Sequence, residues 1–368
     1  MGRRQSLIIA LPSPAAGRDT RSIADPLSSA GRLARLTAAA LVLALPGCGE
    51  SPAPRTSARI LVQWRPALPV TQVVDVAGPR ADGRLVLAAD GRLELMQPGH
   101  SPAPFARGSN GYATPTGPEP YIAVSRGDAV ARAGCRFPRD AVYALEPQAP
   151  AGVIAVDARG RARRLLDLPG AGLPGGIAFD RTGRFGHRLL VTRTLNRRTT
   201  VLAIDCRGRA RTITSSAPAM EGGLAVAPRT FGRFAGHLIA PDEHSGRIVA
   251  VAPSGRTRLV ARSGLAAGPD IGVESAGFVP NGFGPGWSAY LADRVSPGNP
   301  HPGDDVLLAL SARSLTRAGV RPGDLLVSGE GGAQTIAIRC DARCSVRHVA
   351  GGPQVAHAEG HIAFARTR

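Results

Sequence analysis

Four glutamates stand at the head of short, similar apolar stretches. Glu119 precedes Pro120-Tyr121-Ile122-Ala123-Val124, Glu221 precedes Gly222-Gly223-Leu224-Ala225-Val226, Glu274 precedes Ser275-Ala276-Gly277-Phe278-Val279, and Glu359 precedes Gly360-His361-Ile362-Ala363-Phe364. A second set of acids closes later runs of the same units: Asp90, Glu146, Asp242, Asp293 and Glu330. Carboxylates gathered at close range raise one another's pKa until a proton, an arginine or a metal ion neutralises them. Oxygen donors in such number suit Ca²⁺ better than zinc. Glu119, Glu221, Glu274 and Glu359 are therefore the candidate metal ligands, and the second set forms a rim around them. The plainer alternative has each glutamate accepting turn amides or pairing with arginine, so that the acids merely pin neighbouring units together.

What must position these acids is a repeat. Pro174-Gly175-Gly176-Ile177-Ala178-Phe179 shares the pattern, and the starts at 119, 174, 221, 274 and 359 lie 55, 47, 53 and 85 residues apart. Each start is followed by a second apolar run (Val142–Leu145, Leu189–Thr192, Leu238–Pro241, Ala289–Ala292) and a third (Val153–Val156, Val201–Ile204, Ile248–Val251, Val306–Ala309). Turns such as Arg159-Gly160-Arg161, Arg207-Gly208-Arg209 and Ser254-Gly255-Arg256 then lead into an arginine-studded fourth run. Short strands in fours, joined by glycine turns at this period, predict an all-β fold, a six-bladed β-propeller over residues 80–368. The wide gap between 274 and 359 holds two units, the second built from Leu325–Ser328, Thr335–Ile338 and Ser345–His348 with a degenerate first strand near residues 312–320. The N-terminal unit, Arg84–Leu87 and Arg92–Leu95, lacks a first strand, and the C-terminal strand Glu359–Phe364 lacks partners. Pairing the C-terminal strand with the N-terminal strands closes the ring and removes two sheet edges. A five-bladed ring with a long insertion is the alternative. In either ring the glutamates crowd one mouth of the central channel.

These units resemble the six-bladed, calcium-dependent propellers of the SMP-30/gluconolactonase group, and more loosely the NHL repeats. Glu221-Gly222 and Glu359-Gly360 are similar to the group's Glu-Gly-Pro step, which supplies a metal ligand. The resemblance implies a Ca²⁺-dependent hydrolase of lactone or ester substrates. The sequence departs from the group's asparagine ligands, since Pro174-Gly175-Gly176 has no asparagine and Pro280-Asn281-Gly282 follows a strand.

The chain's address is written at its start. Arg32 and Arg35 precede the apolar run Leu36–Leu45 and then Leu45-Pro46-Gly47-Cys48, the layout of a secretory signal. The ending resembles the lipobox of bacterial lipoproteins, which makes residues 1–47 a signal peptide and Cys48 the acylated cysteine; a plain secretory peptide or an uncleaved anchor is the alternative. Residues 48–79 are then a lipid-anchored, proline-containing tether and a leading strand. Export to the outer face of the bacterial cytoplasmic membrane predicts oxidised thiols, paired as Cys340 with Cys344 across a short hairpin and Cys135 with Cys206.

Of 368 residues, 45 are Lys or Arg, every one of them arginine, against 27 acids, a formal charge of +18. The arginines concentrate on fourth runs (Arg161, Arg163, Arg164, Arg209, Arg211, Arg258), where charge guards an outer sheet edge. The sharper reading is contact with an anionic cell-envelope polymer or a protein partner. Nucleic acid is a poor match, because aromatics make up only 4% of the chain and few are available to stack bases. Gly170-Ala171-Gly172-Leu173-Pro174-Gly175 matches G-x-G-x-x-G as text, but it leads into a strand rather than a helix. Phe283 and Trp287 are expected to cover a blade, and His187 and His237 to serve turns. The expected protein is a monomeric, membrane-anchored lipoprotein acting as a ligand-binding or protein-interaction module, with the Ca²⁺-dependent hydrolase as the alternative.

Overall fold

Apolar runs bounded by glycine turns are too short for helices and of the right length for strands, and strands are what they form. The computed structural model describes residues 61–89, 91–106, 120–148, 150–295 and 305–367, all within the unit Ser57–Arg368. Cys48, Asp90, Glu119 and the segment read as a signal lie outside the described residues.

The described chain opens with β1 (Val62–Gln63) and β2 (Arg65–Pro69), both of which join its last sheet. The sheets therefore draw on residues before 80. A first four-stranded antiparallel sheet runs outward from β3 (Val73–Ala77) through β4 (Leu85–Ala89) and β5 (Arg92–Met96) to β6 (Ala103–Ala106). In the second, β7 (Ile122–Val124) is followed by a small ribbon of β8 (Ala129–Val130) and β9 (Cys135–Arg136), then by β10 (Val142–Glu146), β11 (Gly152–Val156) and β12 (Ala162–Asp167). The third comprises β13 (Leu173–Phe179), β14 (Leu189–Leu195), β15 (Arg198–Ile204) and β16 (Ala210–Pro218). The fourth comprises β17 (Ala225–Val226), β18 (Leu238–Asp242), β19 (Arg247–Val251) and β20 (Thr257–Arg262). Their outermost strands β12, β16 and β20 are the exposed, arginine-bearing ones, as edge protection requires.

The remaining strands are β21 (Val273–Phe278), β22 (Trp287–Asp293), β23 (Val306–Ser311), β24 (Leu325–Gly329), β25 (Thr335–Cys340), β26 (Cys344–Gly351) and β27 (Ala358–Arg366). They form one nine-stranded sheet in the order β1-β26-β25-β24-β21-β27-β22-β23-β2. Its two halves meet at a single parallel pair, Ala276 with His361.

This sheet corrects the expected closure. The C-terminal strand β27 pairs with β22, from Trp287 opposite Arg366 to Asp293 opposite Ala358, and not with the segment around Leu85. The first sheet has its own inner strand, β3. The N-terminal contribution to the C-terminal strand's half is β2, hydrogen-bonded to β23 at the outer edge. The expected first strand near 312–320 is instead the helix α1 (Ala312–Arg317), started by Ser311 Oγ accepting from the Ser314 amide and buried through Ala312 and Leu315. Its place beside β24 is taken by β21. The two C-terminal halves have thus exchanged inner strands along the chain. The glycine- and proline-rich stretch from Val279 to Gly286 carries the chain from β21 across to β22, and Phe283 anchors that crossing against Phe364 of β27.

The inner strands β3, β7, β13, β17, β21 and β27 touch in succession, and β27 returns to β3. Apolar clusters fill the space between successive sheets all the way round: β4 with β10, β10 with β14, β14 with β18, β19 with β25, β24 with β22, and β22 with β4. The arrangement is propeller-like and all-β.

Among the described residues there are two disulfides, Cys135–Cys206 and Cys340–Cys344. The first spans 71 residues and ties the β8–β9 ribbon to the turn after β15, whereas the second spans 4 within one hairpin. Loop-closure entropy predicts that replacing Cys135 and Cys206 by serine costs about 4 kcal/mol of stability and replacing Cys340 and Cys344 about 2, read from urea denaturation. A Cβ at Gly277 would collide with the Ile362 backbone oxygen. Gly277→Ala should therefore separate β21 from β27 and cost about 1–3 kcal/mol in the same measurement.

Candidate functional site

At the heads of the inner strands, glycine makes the close approach possible. Gly222 and Gly360 follow their glutamates with φ of 72° and 67°, a conformation open to glycine without strain. A Cβ on Gly222 would meet the Glu274 side chain, and one on Gly360 would meet Asp75. The Glu-Gly step thus lets one inner strand press against the next.

The acids converge there. Glu274, Glu330 and Glu359 are each at least 95% buried, with carboxylate oxygens all within 4.8 Å of one another. The Tyr121 hydroxyl reaches Glu274 Oε1 and Glu359 Oε1. His357 Nε2 lies 3.0 Å from Glu330 Oε1 and 3.3 Å from Glu359 Oε2, and Arg294 Nη1 lies 3.6 Å from the same Glu359 oxygen. Asp293 accepts the His357 amide at 2.9 Å, and Glu243 accepts the Asp270 amide at 2.7 Å. Of the acids expected to gather, Glu221 acts on Glu243 through its charge. Asp242 is occupied by the Ser245 hydroxyl, and Glu146 is placed at the end of β10.

The cluster settles its own charge. Burial, then the charges of Glu359 and Glu330, raises Glu274 well above the ordinary carboxylate range, so it holds a proton and shares it with those neighbours. Burial first, then Glu330, pushes Glu243 up to about 8. Burial opposes the charge on Glu359 too, but hydrogen bonds from His357 and Glu274 and the charge of Arg294 outweigh it and hold this carboxyl below its usual value. Burial likewise works against a charged His357, yet its bonds to Glu330 and Glu359 push it up to about 10. Two protonated carboxyls, an imidazolium and a guanidinium therefore stand among the remaining carboxylates.

One step deeper, Asp75 crosses the ring axis. It is fully buried and accepts the amides of Val76 (2.8 Å), Ile122 (2.7 Å) and His361 (2.7 Å). His361 Nδ1 lies 2.9 Å from Asp75 Oδ2 while its Nε2 lies 3.0 Å from the Ile177 carbonyl oxygen on β13. Burial disfavours the imidazolium, but the Asp75 charge and hydrogen bond prevail and raise its pKa. The pair joins β3, β7, β27 and β13 and divides the channel.

Beyond it, the exits of all the inner strands line a cavity of about 230 Å³. Its walls include Ile122, Ile177, Leu224, Phe278, Ile362 and Phe364, with Arg126, Arg181 and His361 as charged or polar members. Trp287, expected to cover a blade, lines this cavity and lies tilted beside Phe283. His187 serves a turn as expected, with Nδ1 at 3.3 Å from the Asp180 carbonyl.

Sequence reading missed Asp75, Tyr121, His357, His361, Arg294, Arg126 and Arg181. A signal was present for some of them. Asp75, Tyr121 and His361 share the third place of the repeat with Gly176, Gly223 and Ala276. Large polar and minimal residues alternating at one aligned place mark the axis of a crowded ring, where few side chains fit.

No protein-family model matches this chain, and no curated protein matches it. Among solved structures, it is similar to a virginiamycin B lyase from Staphylococcus aureus, at 12% identity and a TM-score of 0.41, covering 80% of this chain and 92% of that one. It is also similar to a gluconolactonase from Xanthomonas campestris, at 15% identity and a TM-score of 0.40, covering 63% and 69%. At these identities the likeness extends to the fold alone.

The acid cluster makes stability fall with rising pH. The folded pKa of Glu243 lies above its unfolded value, so the folded state binds the extra proton and loses that advantage as pH climbs from about 4.5 to about 8. His357, also raised, stabilises fully below about 6.5 and loses its contribution on the way to about 10. Both effects have the same sign between pH 5 and pH 9. The melting temperature should be lower at pH 9 than at pH 6, and Glu243→Gln should flatten that slope. A profile rising across this range would contradict the assignment.

Proposed function

We propose that this chain is an exported six-bladed β-propeller lipoprotein, anchored through Cys48 to the outer face of the bacterial cytoplasmic membrane, and that it acts as a ligand-binding module. Six blades are supported by the ring of inner strands and by the apolar cluster between each successive pair of sheets. The observation that carries the binding reading is the asymmetry of the channel. Its entry side is packed with a self-neutralised acid cluster, and its exit side opens into a cavity walled by every inner strand. Apolar walls with a few convergent polar groups are the usual make-up of a small-molecule site.

The Ca²⁺-dependent hydrolase is the rival, favoured by the three carboxylates within 4.8 Å. Glu330 Oε2 is buried without a hydrogen-bond partner, which is where a cation would bind. Yet His357 and Arg294 already bring positive charge to Glu359 Oε2 at 3.3 and 3.6 Å. A hydrolytic metal also needs a position open to water and substrate, and these glutamates are almost entirely buried. The cluster fits a protonated, histidine-paired core better than a catalytic metal centre.

Calorimetric titration of the chain with Ca²⁺ at pH 7 separates the readings. The binding module predicts no saturable heat and retained folding in Glu274→Gln. Saturable Ca²⁺ binding that Glu274→Gln or Glu359→Gln abolishes would establish the metal reading instead. Radiolabelled palmitate should be incorporated by the wild-type chain and not by Cys48→Ser, which tests the anchor separately.

A further inference from the structure

The cavity at the strand exits carries an excess of positive charge inside apolar walls. Arg126 and Arg181 occupy equivalent places, each two residues beyond the end of its inner strand, after Val124 and Phe179. Both line the cavity, and among the described residues no aspartate or glutamate does. Both side chains reach solvent, yet protein surrounds them closely enough for desolvation to matter. Desolvation, then repulsion from Arg126, pushes Arg181 down to about 10, with Asp128 opposing. Arg126 is lowered by the same desolvation, again with Asp128 opposing. Arg181 also acts against the proton on His361, which places all three groups near one another.

Two guanidiniums sharing one carboxylate are poor structural economy. Both are exposed at the cavity's mouth, so neither is needed to pack the centre of the ring. The same arrangement suits an incoming anion, because apolar walls focus the field of the cations and a guanidinium binds a carboxylate through paired, charge-assisted hydrogen bonds. Below the arginines the wall is apolar and partly aromatic, with Ile177, Ile362, Phe364 and Trp287 facing the cavity. About 230 Å³ is space for a small molecule rather than a folded chain.

We infer that this cavity binds a small amphipathic carboxylate, whose head group lies between Arg126 and Arg181 and whose acyl or arylalkyl body rests on the apolar wall around Ile177, Ile362 and Trp287. The inference rests on the ligand-binding reading and narrows it to a chemical class. The site lies at the strand exits, across the Asp75–His361 pair from the acid cluster, so it is independent of whether that cluster holds a metal.

Octanoate is the probe, with 1-octanol as its uncharged counterpart and acetate as its head group alone. Binding is measured by calorimetry and by the emission of Trp287, one of two tryptophans in the chain, using full-length protein carrying Cys48→Ser to prevent acylation. Octanoate should bind saturably and shift the emission, the shift surviving in Trp64→Phe and disappearing in Trp287→Phe. Octanol should bind about tenfold more weakly or worse, and acetate should give no saturable signal. The double variant Arg126→Gln, Arg181→Gln should reduce octanoate affinity to that of octanol. The comparison of octanoate with octanol on the unaltered cavity decides the matter even if that variant does not fold. Equal affinity for the two, or octanoate binding that ignores loss of both arginines, would overturn the anion assignment while leaving a ligand cavity in place. Failure of both octanoate and octanol to bind would overturn the cavity reading as well.

Discussion

A carboxylate fully removed from water has to find donors, and Asp75 finds them on three inner strands at once. It accepts the backbone amides of Val76, Ile122 and His361, and the His361 ring then spans to the Ile177 carbonyl on a fourth strand. An uncompensated buried charge would cost far more than any one of these bonds returns, so the strands are held at the separations that satisfy it. Because β27 is the last strand and β3 among the first, this one side chain links the two ends of the described chain at the ring's axis. The gap left at the aligned places by Gly176, Gly223 and Ala276 is what makes room for it.

That crossing gives the channel two chemically different ends. On the entry side, Glu274, Glu330 and Glu359 lie so close that ionising all of them is unfavourable, and protons, His357 and Arg294 make up the difference. On the exit side, Arg126 and Arg181 repel each other with Asp128 as their nearby counter-charge. The first end is satisfied within the protein and is closed by packing. The second is incompletely compensated within the protein and open to solvent.

The propeller-like architecture was legible because its code is local. Gly160, Gly208 and Gly255 sit in turns with φ near 85°, and the runs between turns carry the strand periodicity that the sheets display. The convergence of Glu274 and Glu359 was also legible, since equivalent places in a repeat become neighbours once the repeats are arranged in a ring. The partners were harder to read. His357 follows no repeat, Arg294 comes directly after the end of β22, and Tyr121 looked like one more apolar residue of a first strand. Their roles depend on which strands become neighbours.

Composition, turn residues and spacing by themselves determined short strands in fours and the crowding of acids at one end of a channel, because each follows from backbone preference or repeat position. Only the tertiary structure decided that β27 completes the sheet of β22 rather than that of Leu85, that residues 312–317 coil into a helix, and that Trp287 faces a cavity. Those outcomes turn on competition between distant segments for the same sheet edge and the same apolar space. Such a competition is settled by packing across the whole ring, and no window of sequence contains both competitors.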